Sequence, residues 1–361
     1  MLKLKLTLLL GLLTGLSAYA QYPLIETRAY ICKQPIDPLM IDGKADEQSW
    51  KNAQWTDDFV DIEGHKKPKP HLRTRVKMLW DENYFYFYAE LEEPHIWAKL
   101  KQRDTVIFYD NDFEIFIDPD GDTHHYYEYE VNAFNTIWDL MLTRAYRDNG
   151  QAIDHWNING IRSAVHIEGS LNNPSDTDKY WSVEVAMPWN ALEEAAFKGK
   201  KPKARDVWRV NFSRVQWDTK IVNGGYEKMV DPKAKRPVEH NWVWSPQRII
   251  AMHEPEYWGQ VVFSAKTVDQ PDQYVSDFGS EEVRQLLAHI HRNQQQSKKK
   301  TGSYTAAKDQ LLEAKTFHVG KPIVWQLQAD KYRYHAIMPH PFNAGIVWHI
   351  DETGRLWKEF K

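Results

Sequence analysis

The sequence holds a single cysteine, Cys32, in 361 residues. One cysteine excludes an intrachain disulfide and any zinc cluster built from several thiolates. A large charge of one sign is also missing: 46 basic residues against 50 acidic ones leave a net charge of −4. That balance gives no electrostatic reason to expect nucleic acid as a partner. Beyond the first twenty residues no apolar run is long enough to span a bilayer. No nucleophile elbow and no zinc-protease helix motif is present, so two common hydrolase chemistries lack sequence support. At 42% hydrophobic and 27% charged residues, the composition is that of an ordinary globular protein. What the chain has in excess is aromatic: 16 Trp, 18 Tyr and 14 Phe. Tryptophan at that density fits strands with packed aromatic faces, and it also fits surfaces that stack flat ligands.

The first residues bear on the compartment. Lys3 and Lys5 precede an apolar run over residues 6–16, and Ser17-Ala18-Tyr19-Ala20 follows. This is the pattern of a signal peptide over residues 1–20, cleaved near Ala20-Gln21. The run is short for a membrane anchor. The mature chain is therefore expected to be secreted or periplasmic, with no membrane span. In an oxidising compartment an unpaired Cys32 is expected to be buried.

The body reads as strands. Asp46 is expected to cap a short helix that carries Trp50 and Ala53 on one face. Residues 73–80 alternate polar and apolar, and Tyr84-Phe85-Tyr86-Phe87-Tyr88 is an aromatic run suited to a strand. Phe113, Ile115 and Ile117 alternate with Asp112, Glu114 and Phe116. The turn Pro119-Asp120-Gly121-Asp122 then leads into a return strand with Tyr127, Tyr129 and Val131 on one face. Further strands are expected around Trp181 to Met187, Trp208 to Phe212 and Val261 to Phe263. Many short strands separated by turn signals predict a mostly β protein, an antiparallel β-sandwich of jelly-roll type. The composition changes after Lys266. Residues 281–296 have a helical stripe of Val283, Leu286, Leu287 and Ile290. Strands are expected at 323–327 and 346–350. The organisation is thus a signal peptide at 1–20, a sandwich at 21–266, and a helical linker with a short β extension at 267–361.

Several segments, in order, resemble the family-9 carbohydrate-binding modules. They are Ile41-Asp42-Gly43 with Asp46-Glu47 and Trp50; Leu79-Trp80-Asp81-Glu82-Asn83-Tyr84; and Asp112-Phe113-Glu114-Ile115-Phe116-Ile117-Asp118. Val131-Asn132, Val183-Glu184-Val185-Ala186-Met187-Pro188-Trp189, Trp208-Arg209-Val210-Asn211-Phe212 and Pro255 with Trp258-Gly259 complete the set. The resemblance covers about residues 35–265. It implies a sandwich that binds oligo- or polysaccharide, found with secreted xylan- and cellulose-degrading glycoside hydrolases. It also implies a structural calcium, for which Asp42, Asp46 and Glu93 are the candidates. The family clamps a sugar between two tryptophans. Here the corresponding stretches are Phe108-Tyr109 and Met252-His253. Glu130 replaces a family arginine, and the acidic strand residue is kept as Glu114.

Bottom-up chemistry adds to this. Sugars offer C–H faces to aromatic rings, and their hydroxyls want paired donors and acceptors. Tyr109, Trp138, Trp217 and Trp242 are candidate platforms, and the three tryptophans sit in polar segments that read as loops. Arg214 and His253 are candidate polar partners beside them. Core packing is the competing reading for each tryptophan, and it is the expectation for Trp50, Trp80, Trp181, Trp189 and Trp208. Alternation puts Asp112, Glu114, Glu128, Glu130, Glu184 and Asn211 opposite apolar neighbours. A shared sheet would gather these carboxylates on one face, either solvated or binding sugar or a cation. The alternative function is a glycoside hydrolase acting on O-glycosyl bonds, with Glu114 paired to Glu130 or Glu184. A haem or metal binder is a third class, needing axial ligands such as His124, His125, Met252 or His253. Asp118-Pro119-Asp120-Gly121-Asp122 reads as a hairpin turn, because its glycine comes too early for an EF-hand and the twelfth position is Tyr129.

Overall fold

The computed structural model describes residues 24–361, and the expected signal peptide and its cleavage point lie outside the described residues. The first unit runs β1 (Ala29–Gln34), α1 (Gln48–Asn52), β2 (Val60–Asp61), β3 (Thr74–Trp80), β4 (Tyr84–Glu92), β5 (Asp112–Asp118) and β6 (His124–Asn132). It continues through β7 (Ile137–Arg144), β8 (Ala152–Ile153), β9 (Arg162–Glu168), β10 (Tyr180–Pro188), α2 (Trp189–Leu192) and β11 (Val207–Trp217). The hairpin β12 (Thr219–Val222) and β13 (Gly225–Lys228) follows, then β14 (Glu239–Val243) and β15 (Gly259–Thr267). The second unit holds α3 (Phe278–Thr301), α4 (Lys308–Leu311), β16 (Gln326–Ala329), β17 (Tyr334–Pro339), β18 (Ile346–Asp351) and β19 (Leu356–Phe360).

Eleven strands of the first unit form one path, β8-β7-β6-β5-β11-β15-β1-β3-β4-β10-β9, with β14 pairing β11 and β2 beside it and β12–β13 a separate hairpin. The path folds over so that its two halves face each other as a sandwich. Phe113, Ile115, Tyr127, Tyr129, Val210 and Phe212 from one half meet Val76, Met78, Phe85, Phe87, Val183 and Val185 from the other. Strand β1 is the seam, pairing parallel with both β15 and β3. The other ladders of the sandwich are antiparallel. Each strand is buried on both sides of the alternation where a loop or the second unit covers its outer face. Trp50, Trp80, Trp181, Trp189 and Trp208 are all buried, and so is Cys32.

The hairpin at β5–β6 forms with Glu114 directly opposite Glu130 and Asp112 opposite Asn132. The helix of the second unit is longer than its apolar stripe alone predicts. Asp277 caps it by accepting from the Ser280 amide, and Gly302 in the left-handed region ends it. That cap extends the helix one turn upstream of the stripe. Its face of Val283, Leu286, Leu287 and Ile290 packs against Ala336, Met338, Trp348 and Ile350 of the four-stranded sheet. Asp46 does not cap α1; the capping position is Glu47, whose side chain makes no cap bond.

Candidate functional site

Register assigns the faces of the longer half-sheet. Phe113 and Ile115 look into the core, so Asp112, Glu114 and Phe116 of β5 look outward. Across β6 the outward row continues as Glu130 and Glu128, and across β7 as Trp138 and Leu140. On the other side Ser213 of β11 stands opposite Glu114, and Asn211 opposite Phe116. Four carboxylates therefore share one outer face: Asp112, Glu114, Glu128 and Glu130. All are buried, from 0% exposed at Asp112 to 6% at Glu128. Burial raises Glu114 to about 7. Burial, followed by repulsion from Glu114, holds Asp112, Glu128 and Glu130 well above the usual carboxylate range.

Two walls flank this face. On one side the short turn Ile107–Tyr109 lies against it. Its Phe108 amide donates to Glu130 Oε2 at 3.2 Å, and the Tyr109 ring is 58% exposed. On the other side His253 packs edge-on against Phe116, 5.8 Å between ring centroids, and its Nδ1 pairs with the Tyr126 hydroxyl at 2.9 Å. Tyr146, also exposed, meets the His253 ring at 4.6 Å. So Tyr109, Glu114, Glu130 and His253 come together on one face. Trp138 joins them, directly opposite Glu130, with its indole Nε1 unpartnered among the described residues.

The other expected site residues are elsewhere. Arg214 points inward from β11, fully buried, and pairs with Glu93 at 3.2 Å and with Thr74 and Gln216. Trp242 faces the same interior, with the Arg214 guanidinium over its ring. Trp217 is on the outer face but is no open platform. It is 6% exposed, its Nε1 donates to the Phe108 carbonyl, and Lys228 Nζ lies 3.3 Å over its ring. Burial lowers the Lys228 ammonium to about 8. Trp138, Trp217 and Trp242 lie in strands, not in loops. Glu184 belongs to β10 in the opposite half, where it accepts from Trp50 Nε1 and the Asp42 and Gly43 amides. It cannot pair with Glu114.

Asp42, Asp46 and Glu93 are not among the acidic groups whose oxygens lie close enough to share an ion. Glu93 is committed to Arg214, Gln216 and Asn111, whereas Asp42 and Asp46 are exposed beside α1. Among the described residues the acidic groups close enough to share an ion are Asp112, Glu114 and Glu130, and Asp118, Asp120 and Asp122. The second trio is the β5–β6 turn. Its oxygens accept from the Gly121, Thr123, Asp122 and His124 amides and from Arg355 Nε.

One signal for the buried pair Arg214 and Trp242 was present. Val210 and Phe212 face inward, and continuing that alternation to Arg214 predicts an inward side chain. Lys228 over Trp217 had no such signal, because it arrives on a separate hairpin.

The family profile "Carbohydrate family 9 binding domain-like" matches residues 41–266. The chain belongs to this family. The match spans the sandwich from the turn before α1 to the end of β15, and it includes every wall and floor residue named above. Solved structures of family-9 modules are similar. A Caldicellulosiruptor kristjanssonii family-9 module in complex with cellotriose is 17% identical, covering 69% of this chain and all of that one, with a TM-score of 0.41. A family-9 module from the same organism with glucose is 16% identical over 68% of this chain and all of that one, with a TM-score of 0.41. A Bacteroides uniformis protein whose carbohydrate binding is itself inferred is 14% identical, covering 66% of this chain and all of that one, with a TM-score of 0.47. No curated protein matches the sequence.

Proposed function

We propose that this family-9 protein binds a saccharide on the outer face of β5, β6 and β7, between Tyr109 and His253, with no covalent chemistry. The reading extends to a secreted or periplasmic protein that acts in polysaccharide breakdown. The observation that carries it is the convergence of Tyr109, Glu114 and the His253 segment, the three stretches that the family resemblance marks out, around one floor. A pyranose C–H face would lie on the exposed Tyr109 ring. Its hydroxyls would face the floor that Glu114, Glu128 and Trp138 form.

Glycan-array screening of the full chain, followed by calorimetry with the sugars found, tests this. Tyr109→Ala is expected to weaken binding about tenfold or more, the loss of one stacking contact of ~1.4 kcal/mol. Tyr332→Ala, exposed on the second unit, is expected to leave affinity unchanged. A blank across all sugar classes, or full affinity in Tyr109→Ala, overturns the reading. Amino-terminal sequencing of exported protein tests the compartment, with Gln21 as the expected first residue.

A further inference from the structure

We propose that Asp112, Glu114 and Glu130 bind a divalent cation, with Ca2+ the ion that fits best. The cation site shares Glu114 with the proposed saccharide floor, and its test is run without sugar.

Three observations support it. The first is geometry. One carboxylate oxygen from each of the three residues lies within 4.8 Å of the other two. Ligand oxygens sit about 2.4 Å from Ca2+, so two on opposite sides are roughly 4.8 Å apart. All three oxygens therefore fit on one coordination sphere. Register produces this arrangement, because Glu114 and Glu130 are directly opposed across β5–β6 and Asp112 is two residues along the same face.

The second is charge. Asp112, Glu114 and Glu130 are 0%, 5% and 1% exposed, and Glu128 beside them is 6% exposed. Among the described residues none of the four carboxylates has a Lys, Arg or His partner within 4 Å. Four buried carboxyls with no cationic side chain beside them can lose their protons together only if a counter-charge enters. A hard cation with oxygen ligands supplies it, and the variable coordination of Ca2+ tolerates a strand-based site better than octahedral Mg2+ does.

The third is an orphan acceptor. Asp112 is fully buried, and its Oδ1 accepts from the Val215 amide at 3.1 Å. Its Oδ2 has no partner. Buried polar atoms in folded proteins are almost always satisfied, so this one calls for a ligand. The contrasting trio, Asp118, Asp120 and Asp122, shows what a finished acidic turn looks like. There the oxygens are taken by backbone amides, Arg355 supplies positive charge at 2.7 Å, and Arg284 stands nearby on the Gly121 carbonyl.

The test uses the full chain, stripped with chelator and free of sugar. Calorimetry with Ca2+ is expected to show one site per chain, with a rise in Tm on adding the ion. Tb3+ should replace Ca2+ and luminesce when tryptophan is excited, because Trp138 stands directly opposite Glu130. Glu130→Gln is expected to weaken Ca2+ binding at least tenfold and to remove most of the Tb3+ signal. Asp120→Asn should leave both unchanged. If Glu130→Gln does not fold, Glu114→Gln takes its place. No heat and no Tm shift in the stripped wild-type chain overturns the proposal. So does undiminished binding in the folded variant, or transfer of the loss to Asp120→Asn. Because no sugar is present, failure of saccharide binding leaves this result untouched.

Discussion

His253 shows how a single ring joins the wall of the site to the interior. Its Nδ1 is tied to the Tyr126 hydroxyl, and its ring is boxed by Phe116, Tyr126 and Tyr146. Burial, and then the nearby Arg147 charge, lower its pKa from 6.5 to about 4. The folded state therefore holds the neutral ring where the unfolded chain would take up a proton. This contribution to stability is complete above about pH 6.5 and is lost as the pH falls towards 4. Urea unfolding of wild type and His253→Gln, compared at pH 7 and pH 4, should show wild type losing more stability on acidification. Equal losses would mean that the ring does not titrate in this way. The buried carboxylates opposite it work in the other direction, since their raised values favour the fold at lower pH, so only the difference between the two proteins isolates the histidine.

Turns and ladders set where these residues stand. The turn before α1 is built around Gly43, at φ +86°. A Cβ there would lie 2.6 Å from the His166 amide nitrogen and 2.8 Å from the Val165 carbonyl carbon, both backbone atoms of β9. Neither can swing away as a side chain would. The Gly43 and Asp42 amides also donate to Glu184, which holds Trp50 by its indole nitrogen. The turn thus locks α1 onto the sheet through one carboxylate. Gly43→Ala is expected to cost ~1–3 kcal/mol, from left-handed strain together with overpacking. Chemical denaturation would measure it, and a wild-type midpoint would mean that β9 yields. The β5–β6 ladder acts at the same level. Its register alone opposes Glu114 to Glu130, and a slip of β6 by one residue would send Glu128 and Glu130 into the core.

The two units are joined by charge as much as by apolar contact. Arg209 of β11 and Glu281 of α3 form a paired contact, each less than one-tenth exposed. Arg284 donates to the Gly121 carbonyl, His291 pairs with Asp148 at 2.8 Å, and Arg355 reaches Asp122. Arg147 and Arg292 both engage Glu254 and Glu256, the residues that follow His253, so the helix of the second unit braces one wall of the candidate site. Glu281→Ala would leave Arg209 buried without its partner. The expected loss is ~3–5 kcal/mol, read as a lower denaturation midpoint. A loss below about 1 kcal/mol would show that the guanidinium finds water or another acceptor.

Local pattern was enough for much of this architecture. A period of two is a property of each strand alone, so the alternation of Asp112 and Glu114 with Phe113 and Ile115 already placed the carboxylates on one face. Turn residues marked the β5–β6 hairpin, and the apolar stripe marked α3. The ordered segments over residues 35–265 marked Tyr109, Glu114 and His253 as the stretches corresponding to the family's sugar clamp, and the fold brings them to one face. Three other outcomes depended on distant chain. Glu184 has the same alternation as Glu114, yet β10 lies in the other half of the sandwich, and strand order is decided by long-range pairing. Arg214 and Trp242 carry sugar-site chemistry, and although alternation from Phe212 turns Arg214 inward, their burial side by side depends on β14 pairing with β11. Trp217 faces outward but is roofed by Lys228 from a hairpin that sequence spacing does not position. A strand's sequence determines which residues share a side. Only packing of the whole chain determines which side is covered, by what, and which charges are left without a partner.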